Sequence, residues 1–482
     1  MTSCNVSSLS IFIPSAERPW NAERVNHVLR RLSFGGTTSD ITAALNLSPE
    51  QFIDSLVDQA LAIPPSAEPS WNSWTYQDYI NAGLDFDEET QNNHLEWGLQ
   101  TYNDMLDHGL KGRLTMFWHN HFVTELDVYY CSNYMYRYYN VLQTYALGNF
   151  SEFVRAIGKS EAMLLYLNGF ENSLYNANEN YARELYELFT LGENNGYTQA
   201  DIVETSKALT GYNHWNDFCD YIYFDQSSFN TSDKTIFGQT GNWDYDDVID
   251  ILFQEKSDLI ANFICRKLYT YFVSPNVNET IVSELASIFV VDFDIANVLR
   301  ILFKSEHFFD SLAIGTLIKS PYDLTNNVIK TLNFSFDDNI KLGVIYLNGI
   351  AGQSLYNPVD VAGWQGNHDW INSSTLTARW EILNYIIVTA YNIDPEVFRT
   401  FAIESSNNSN DPYLVTKSII ERFVPKALHT LEDYEAATDV FKYDVPSNYF
   451  DDGSWNLSWD VVPIQVGLLL LHIIKMPEFQ LK

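Results

Sequence analysis

Residues 176–192 read NANENYARELYELFTLG and decide the fold class. Apolar side chains recur there at the three- and four-residue spacing of an α-helix and cover most of its circumference. Asn176 followed by Glu179 predicts a capping box at the start of the helix, and Gly192 supplies the left-handed residue after its end. The pattern therefore predicts one central helix of about four turns.

This helix carries one polar stripe, with Asn180, Glu184 and Glu187 on a common face. Arg183 lies four residues from both Glu179 and Glu187 and can pair with either. Carboxylates on a mostly buried helix must be paired, protonated or bound to a metal. The stripe therefore predicts an acid/base or metal-ligand face. The alternatives are a buried Arg–carboxylate network that only fixes packing, or a narrow solvated stripe. In each case Leu185 and Phe189, on the apolar face, should be buried.

Helical periodicity continues through most of the chain, and strand signals are short. Residues 221–224 and 235–237 could pair as a small hairpin across a polar loop. Long loops rich in Gly, Asn and Trp interrupt the helices, notably at 211–220 and 349–372. The sequence therefore predicts a mainly α protein: one large multi-helix domain with a small β-hairpin element and long Gly/Trp-rich loops.

The domain prediction is an N-terminal extension at 1–22 followed by one domain at 23–482. Within that domain, 23–220 and 244–482 are possible sub-lobes. We find no internal repeat of 20 to 50 residues, so a helical solenoid is not indicated.

The composition is that of an acidic globular protein. The 482 residues include 28 Lys and Arg against 62 Asp and Glu, for a net charge of −34, and 46% are hydrophobic. This charge argues against a protein that coats nucleic acid or binds an anionic membrane surface, because both need clustered cations. No apolar run is long enough to span a bilayer.

The cysteines and the N-terminus carry weak signals. Cys4, Cys131, Cys219 and Cys265 are scattered and form no C-x-x-C pair, so neither a zinc knuckle nor a redox motif is indicated. Four cysteines in a chain of this length do not make a disulfide scaffold. Residues 1–20 lack the basic region and long apolar core of a signal peptide. The sequence as given indicates a cytoplasmic protein, but a mature exported protein would look the same.

The first chemical motif is FWHNHF at 117–122. Imidazole suits zinc, iron, copper or nickel, so His119 and His121 are a candidate metal half-site. On a continuous helix the two rings would diverge, and we therefore expect the helix to end near His119 and leave His121 in a loop. The alternative is a pair of partly buried histidines in an aromatic wall. Walker A, Rossmann, G-x-S-x-G and H-E-x-x-H motifs are absent from the sequence.

The second motif is the loop at 356–372, YNPVDVAGWQGNHDWIN. Trp364, His368 and Trp370 with neighbouring Asn and Gly residues are typical of a sugar or small-polar-ligand site, where rings stack and amides donate. The alternative is a loop held down by its own tryptophans.

The chain resembles the bacterial family called "domain of unknown function 1800" from about residue 23 to its end. The matching pieces are HVLRRLSFGG (27–36), FWHNHF (117–122), ENYARELYELFTLG (179–192), ALTGY (208–212), KTIFGQTGN (234–242), KLYTYFV (267–273), KSPY (319–322), residues 357–370 and PEFQLK (477–482). The resemblance implies a bacterial protein, exported in many relatives and often encoded beside a sulfatase-like partner. The activity of the family is not established. Members often carry His-Asp where this chain has Phe229-Asn230, and if that pair were essential this member would be altered or inactive.

These motifs support two hypotheses of different class. In the first, the protein is a metal-assisted hydrolase, in which His119 and His121 bind a divalent metal with Glu184 or Glu187. The other glutamate serves as general base, and Arg183 orients carboxylates or binds an anionic intermediate. This hypothesis places the histidines opposite Asn180 and the glutamates across a pocket.

In the second hypothesis the protein is a non-catalytic binding or assembly protein that works with an exported partner. Its recognition surface would be the loop with Trp364, His368 and Trp370. The distance between the histidines and the glutamates distinguishes the two hypotheses, because only the first requires one coordination shell.

Overall fold

The structure is a computed structural model that describes residues 8–214 and 216–482. Cys4 and part of the predicted extension at 1–22 lie outside the described residues. The chain is 60% helical, and the strands form two small two-stranded sheets. The mainly α prediction is therefore confirmed. The domain limit at 22/23 and the sub-lobes stay predictions.

The first half of the chain contains twelve α-helices among the described residues. They are α1 Ala22–Ser33, α2 Thr38–Leu45, α3 Pro49–Ala62, α4 Tyr76–Asn81, α5 Phe86–Asp107, α6 Gly109–His121, α7 Leu126–Tyr129, α8 Ser132–Tyr145, α9 Phe150–Ile157, α10 Glu161–Tyr166, α11 Asn180–Glu184 and α12 Gln199–Ala208. A π-helical turn, Leu185–Thr190, directly follows α11. Helix α6 packs against α1, α3, α5 and α8 and buries nearly all of its side chains.

The second half is also helical. It contains α13 Tyr245–Glu255, α14 Ser257–Phe272, α15 Glu279–Phe289, α16 Ile295–Lys304, α17 Pro321–Leu332, α18 Asp338–Ile350, α19 Ser373–Ile393, α20 Glu396–Ser406, α21 Pro412–Phe423, α22 Leu431–Lys442, α23 Asn448–Asp451 and α24 Val462–Ile473. Short 3₁₀ turns occur at Gly169–Glu171, Asn367–Trp370 and Glu478–Gln480. None of the described helices combines the length and apolarity needed to cross a bilayer.

The strands pair locally, and the predicted hairpin between 221–224 and 235–237 is wrong. Strand β1 (Tyr212–His214) pairs with β2 (Tyr223–Phe224), and β3 (Lys234–Ile236) pairs with β4 (Gln239–Gly241). The physical reason lies in the two residues between β3 and β4, Phe237 and Gly238, which both have positive φ, 48° and 83°. Two successive left-handed residues make the tight hairpin turn that joins adjacent strands.

Capping residues in the sequence fix the positions at which several helices begin. The Ser48 hydroxyl accepts the Gln51 N–H at 3.1 Å, and the Gln51 side chain accepts the Ser48 N–H at 3.0 Å, with Pro49 in the first turn of α3. Ser320 and Asp323 make the same reciprocal pair at the start of α17. Such a cap satisfies backbone donors that the helix leaves free. The cap of α17 thereby fixes the position of Asp323.

A disulfide joins Cys131, just before α8, to Cys219 in the loop between β1 and β2. This disulfide was not predicted from the sequence, because the two cysteines are 88 positions apart and no local pattern marks them. Both are buried, and Cys265 is a buried free thiol.

Candidate functional site

A cavity of about 430 Å³ opens where α6, α14, the start of α17 and the loop after α18 meet. Each element contributes polar or aromatic side chains to its wall. These side chains include Asn120, His121, Lys267, Asp323, Trp364 and Lys482. Among the described residues, Asp323 is the only Asp or Glu side chain on this wall.

Both motif histidines lie on α6, which continues to His121. The expectation that the helix ends near His119 is therefore wrong. The Phe122 N–H donates to the Trp118 carbonyl at 2.8 Å, which continues the helical pattern beyond His121. Residues two apart on a helix point in different directions, so the two rings diverge. His119 and Asn120 contact the loop at 356–372, whereas His121 contacts Phe189 and Lys267.

His119 is buried and is fixed by two hydrogen bonds. Its Nε2 accepts the Tyr356 backbone N–H at 3.0 Å. Its Nδ1 lies 2.9 Å from the Tyr138 hydroxyl, and that hydroxyl donates to the Phe122 carbonyl at 2.7 Å. Nδ1 must therefore carry the ring proton and donate to Tyr138. Burial lowers the pKa of His119 to about 3. The ring is neutral and both nitrogens are occupied.

His121 has the opposite tautomer. Its Nε2 lies 3.0 Å from the Phe189 carbonyl, which can only accept, so Nε2 carries the proton. Its Nδ1 then accepts from the Lys267 ammonium at 3.2 Å. Burial, with the Lys267 charge beside it, lowers the pKa of His121 well below its usual value. Phe117 stacks parallel to the ring with a centroid separation of 6.4 Å, so His121 lies in an aromatic wall.

The predicted metal site receives no support from these tautomers. In each ring the lone pair that a metal would need already accepts a hydrogen bond, from the Tyr356 N–H at His119 and from Lys267 at His121. Within residues 8–214 and 216–482, no three His, Cys, Asp or Glu side chains are grouped so as to hold a metal ion. The roles predicted for Glu184 and Glu187 stay predictions.

The central helix behaves as predicted in its packing. Leu185 and Phe189 are fully buried. Arg183 pairs with Glu179 at 3.0 Å and with Glu187 at 3.3 Å, which confirms the predicted contacts. Asn180 at the start of the stripe is exposed, and Glu184 is half-buried. The polar stripe therefore lies at the protein surface.

The start and the geometry of this helix differ from the prediction. The predicted capping box of Asn176 and Glu179 does not form, because the Asn178 side chain accepts the Asn180 N–H at 2.9 Å and Glu179 pairs with Arg183. The helix is not one regular α-helix, because π geometry replaces α geometry from Leu185 onward. Gly192 has φ +96°, so its predicted left-handed conformation is confirmed.

The π-helical turn supplies main-chain carbonyls that hold two side chains of the cavity wall, His121 and Lys267. The Leu191 N–H reaches back to the Tyr186 carbonyl at 2.9 Å. The carbonyls of Leu188 and Phe189, near the end of the helix, accept from Lys267 at 3.4 Å and from His121 at 3.0 Å. Such carbonyls have no partner within a helix and need an outside donor. The two most specific sequence motifs therefore meet through main-chain carbonyls.

Asn120, between the two histidines, holds the Trp-rich loop. Its Oδ1 accepts the Trp364 N–H at 2.6 Å, and its Nδ2 donates to the Trp364 carbonyl at 2.9 Å. Gly363 has φ +76°, and a Cβ there would lie 2.4 Å from Asn120 Oδ1, so only glycine allows this approach. Trp364 and Trp370 are buried on the cavity wall, whereas His368 is exposed.

At one end of the cavity, Asp323 forms a buried ion-pair network. One carboxylate oxygen pairs with Arg113 and the other with Lys482. The Ser320 N–H also donates to Asp323 Oδ2 at 3.0 Å. Burial alone would raise the pKa of Asp323, but Arg113 and Lys482 outweigh it and hold the pKa well below its usual value. Burial lowers the pKa of Lys482 to about 7 against the attraction of Asp323.

At the other end, Lys267 has no carboxylate partner. Within the described residues it forms no ion pair, and its hydrogen bonds go to the neutral His121 ring and the Leu188 carbonyl. Burial lowers the pKa of Lys267 to about 8. Near neutral pH the ammonium form dominates. A positive charge that contacts the Phe263 ring at 5.0 Å from its centroid, but pairs with no carboxylate in the described chain, therefore lies on the cavity wall.

Nearly the whole chain matches one known protein family. The profile of the family described as "Protein of unknown function (DUF1800)" matches residues 27–481. The chain belongs to the DUF1800 family. No curated protein and no solved structure matches the chain. The predicted family is thus confirmed, and in this DUF1800 chain the matched span includes His121, Lys267 and Asp323.

Four residues of the cavity wall were not predicted from the sequence to belong to a site: Asn120, Lys267, Asp323 and Lys482. Each lies within or beside a sequence piece that resembles the family: FWHNHF, KLYTYFV, KSPY and PEFQLK. A single lysine on an apolar helix or at a chain end forms no chemical pattern by itself. The available signal was that these polar residues accompany the most family-like pieces.

Proposed function

We propose that this DUF1800 protein binds a small anionic, hydroxylated ligand in the cavity between Lys267 and Lys482. The observation that carries the proposal is the Lys267 ammonium, which lies on the wall of a cavity of about 430 Å³ without a carboxylate partner in the described chain. A desolvated charge is costly unless it is paired, and a bound anion would pair it.

The charge of the whole protein makes this local charge informative. The chain has a net charge of −34 and would repel an anion at most of its surface. Within the part of the chain that the structure describes, the cavity wall has two basic side chains, Lys267 and Lys482, and one acidic side chain, Asp323. A lysine without a carboxylate partner on a cavity wall of a strongly acidic protein favours the binding of an anion at that wall.

The remaining wall suits a hydroxylated ligand. Trp364 and Trp370 provide aromatic surface, and Gln365 and Asn367 provide amides that can both donate and accept. Aromatic rings with a few polar groups are typical of sites for small polar molecules. A sugar acid combines the required negative charge with hydroxyl groups, and glucuronate is a suitable probe.

Isothermal titration calorimetry tests this proposal on the full chain with its disulfide intact. We expect glucuronate to bind the wild type and glucose to bind at least about tenfold more weakly, the effect of roughly one charge-assisted contact. Lys267→Met should remove glucuronate binding. The matched control is Lys330→Met, which alters a buried lysine that contacts the Leu106 carbonyl and lines other cavities. Equal affinity of wild type and Lys267→Met would overturn the proposal.

The more specific hypotheses stay predictions. Metal-assisted hydrolysis through His119, His121 and the glutamates would be supported by a stoichiometric metal in the purified protein, and the tautomers described above do not favour it. The sulfatase-like partner rests on the family resemblance alone. Binding of an anion by the cavity is compatible with a catalytic or a non-catalytic protein.

A further inference from the structure

We infer that Lys267 is a reactive amine, which forms an imine with a ligand that has a carbonyl carbon in addition to its anionic group. This inference rests on the proposed function, because the anion site is what brings the carbonyl to Lys267. The ligand class is an oxo acid, such as an aldehyde acid in its open form.

The hydrogen bonds of Lys267 use two of the three N–H groups of its ammonium, and its Nζ also lies 5.0 Å from the centroid of the Phe263 ring. One N–H is directed to His121 Nδ1 at 3.2 Å and one to the Leu188 carbonyl at 3.4 Å. Both acceptors are uncharged. When the third proton leaves, the nitrogen keeps a lone pair, and Lys267 lines the cavity. A neutral amine with a free lone pair is the nucleophile that imine formation requires.

Two other buried lysines, Lys234 and Lys482, lack this arrangement. Lys234 donates to three acceptors, the Asn230 carbonyl, the Asn242 side chain and the Trp243 carbonyl, so all of its protons are held. Lys482 lies on the same cavity but pairs with Asp323, which stabilises its charged form. Lys330 also lines cavities and donates to an uncharged acceptor, the Leu106 carbonyl, but the nearby charges of Asp40 and Asp107 stabilise its ammonium form. Among these four lysines, Lys267 alone combines a cavity position with uncharged acceptors and no stabilising carboxylate.

The protonation of Lys267 agrees with this geometry. Burial lowers its pKa to about 8, and burial is the only cause of the shift. An ordinary exposed lysine has a pKa of about 10.4, so the free amine is on the order of a hundredfold more populated at Lys267 near neutral pH. Catalytic amines are commonly activated by desolvation of this kind.

The step balances without a further reagent. The Lys267 nitrogen attacks the carbonyl carbon, a C–N bond forms, and the electron pair of the C=O π bond moves to oxygen. The two amine protons leave with that oxygen as water, and a C=N bond remains. His121 acts as a positioning residue, because it holds one N–H of the amine and does not touch the carbonyl.

Reductive trapping tests the inference. The full-length protein is incubated with glyoxylate and sodium cyanoborohydride near neutral pH, and peptide mass mapping locates the carboxymethyl group on each lysine. We expect Lys267 to react at least about tenfold faster than Lys417, whose side chain is 43% exposed, after allowance for limited access to the cavity. Excess glucuronate should slow the reaction at Lys267 and leave Lys417 unaffected.

Two variants separate the inference from the proposed function. Lys267→Arg keeps the positive charge without a nucleophilic amine, so it should retain glucuronate binding within about tenfold and give no trapped adduct at position 267. Lys330→Arg should leave trapping at Lys267 unchanged. If Lys267 reacts no faster than Lys417 while glucuronate still binds and Lys267→Met abolishes that binding, the imine is wrong and the anion site stands. If neither trapping nor binding occurs, both are wrong.

Discussion

The two ends of the cavity hold the same kind of side chain in opposite electrostatic surroundings. Lys482 pairs with Asp323, which Arg113 also contacts. Lys267 contacts a neutral histidine ring and a main-chain carbonyl. The first lysine belongs to a compensated network that stabilises the native packing, whereas the second is a charge that the fold leaves for a ligand.

The difference shows why residue type and burial do not by themselves assign a role. Burial lowers the pKa of both lysines, to about 7 and about 8. What distinguishes them is the chemistry of their partners. Removing a partner from the Asp323 end should therefore cost stability, while removing the charge at the His121 end should cost ligand binding.

The largest effect is expected for Asp323→Asn. This change leaves Arg113 and Lys482 buried without their carboxylate, and breaking a buried ion pair in this way costs about 3–5 kcal/mol. Urea unfolding followed by far-UV circular dichroism measures the loss. Asp338→Asn is the control, since its carboxylate is 69% exposed and should change stability by no more than about 0.5 kcal/mol. Equal stability of the two variants would remove the distinction between the two ends.

Lys482→Met should have the next largest effect. Asp323 keeps Arg113 as a partner, so the expected loss is that of one charged hydrogen bond, about 1.5–3 kcal/mol. The same urea experiment applies, with Lys417→Met as an exposed control. A variant as stable as the wild type would mean that Arg113 alone compensates Asp323.

The free energy of unfolding should depend on pH through Lys267, which distinguishes this lysine from an ordinary one. Its pKa is about 8 in the folded protein and that of an ordinary lysine, about 10.4, when unfolded. Between these values the unfolded chain binds more protons, so stability increases with pH there. Relative to Lys267→Met, the wild type should gain about 1–2 kcal/mol between about pH 7.5 and 9.5. A difference that stays constant with pH would show that Lys267 titrates normally.

The smallest effect is expected for Glu184→Gln. Glu184 is half-buried on the polar stripe and lies outside the cavity wall. Its substitution should change stability by no more than about 0.5 kcal/mol and leave glucuronate affinity unchanged. Calorimetry on the variant checks both, and a loss of affinity would move the functional site from the cavity to the stripe.

The sequence predicted what is local along the chain. Periodicity identified the mainly α class and the burial of Leu185 and Phe189, and four-residue spacing identified the partners of Arg183. These features depend on residues within one or two turns of each other. The π-helical turn was not predicted, because periodicity indicates a helix without specifying which carbonyl each N–H reaches.

Three candidate residues named from the sequence, His121, Trp364 and Trp370, line the cavity, but the arrangement of the site was not predicted because it depends on long-range contacts. His121 and Lys267 are 146 positions apart, and Asp323 and Lys482 are 159 positions apart. The histidines were recognised as important, but their tautomers are set by Tyr356, Phe189 and Lys267, which come from other segments. Only the folded chain shows that these rings bind protein groups at both nitrogens.

The disulfide between Cys131 and Cys219 has a practical consequence for producing the protein. It closes a covalent ring of chain 88 positions long, which includes α8 to α12 and the π-helical turn. Such a ring restricts the conformations of the unfolded chain, and the restriction disappears when the thiols are reduced. Cytosolic expression keeps thiols reduced. Periplasmic or oxidative refolding routes should therefore yield material more resistant to heat and proteases than a reducing cytosol.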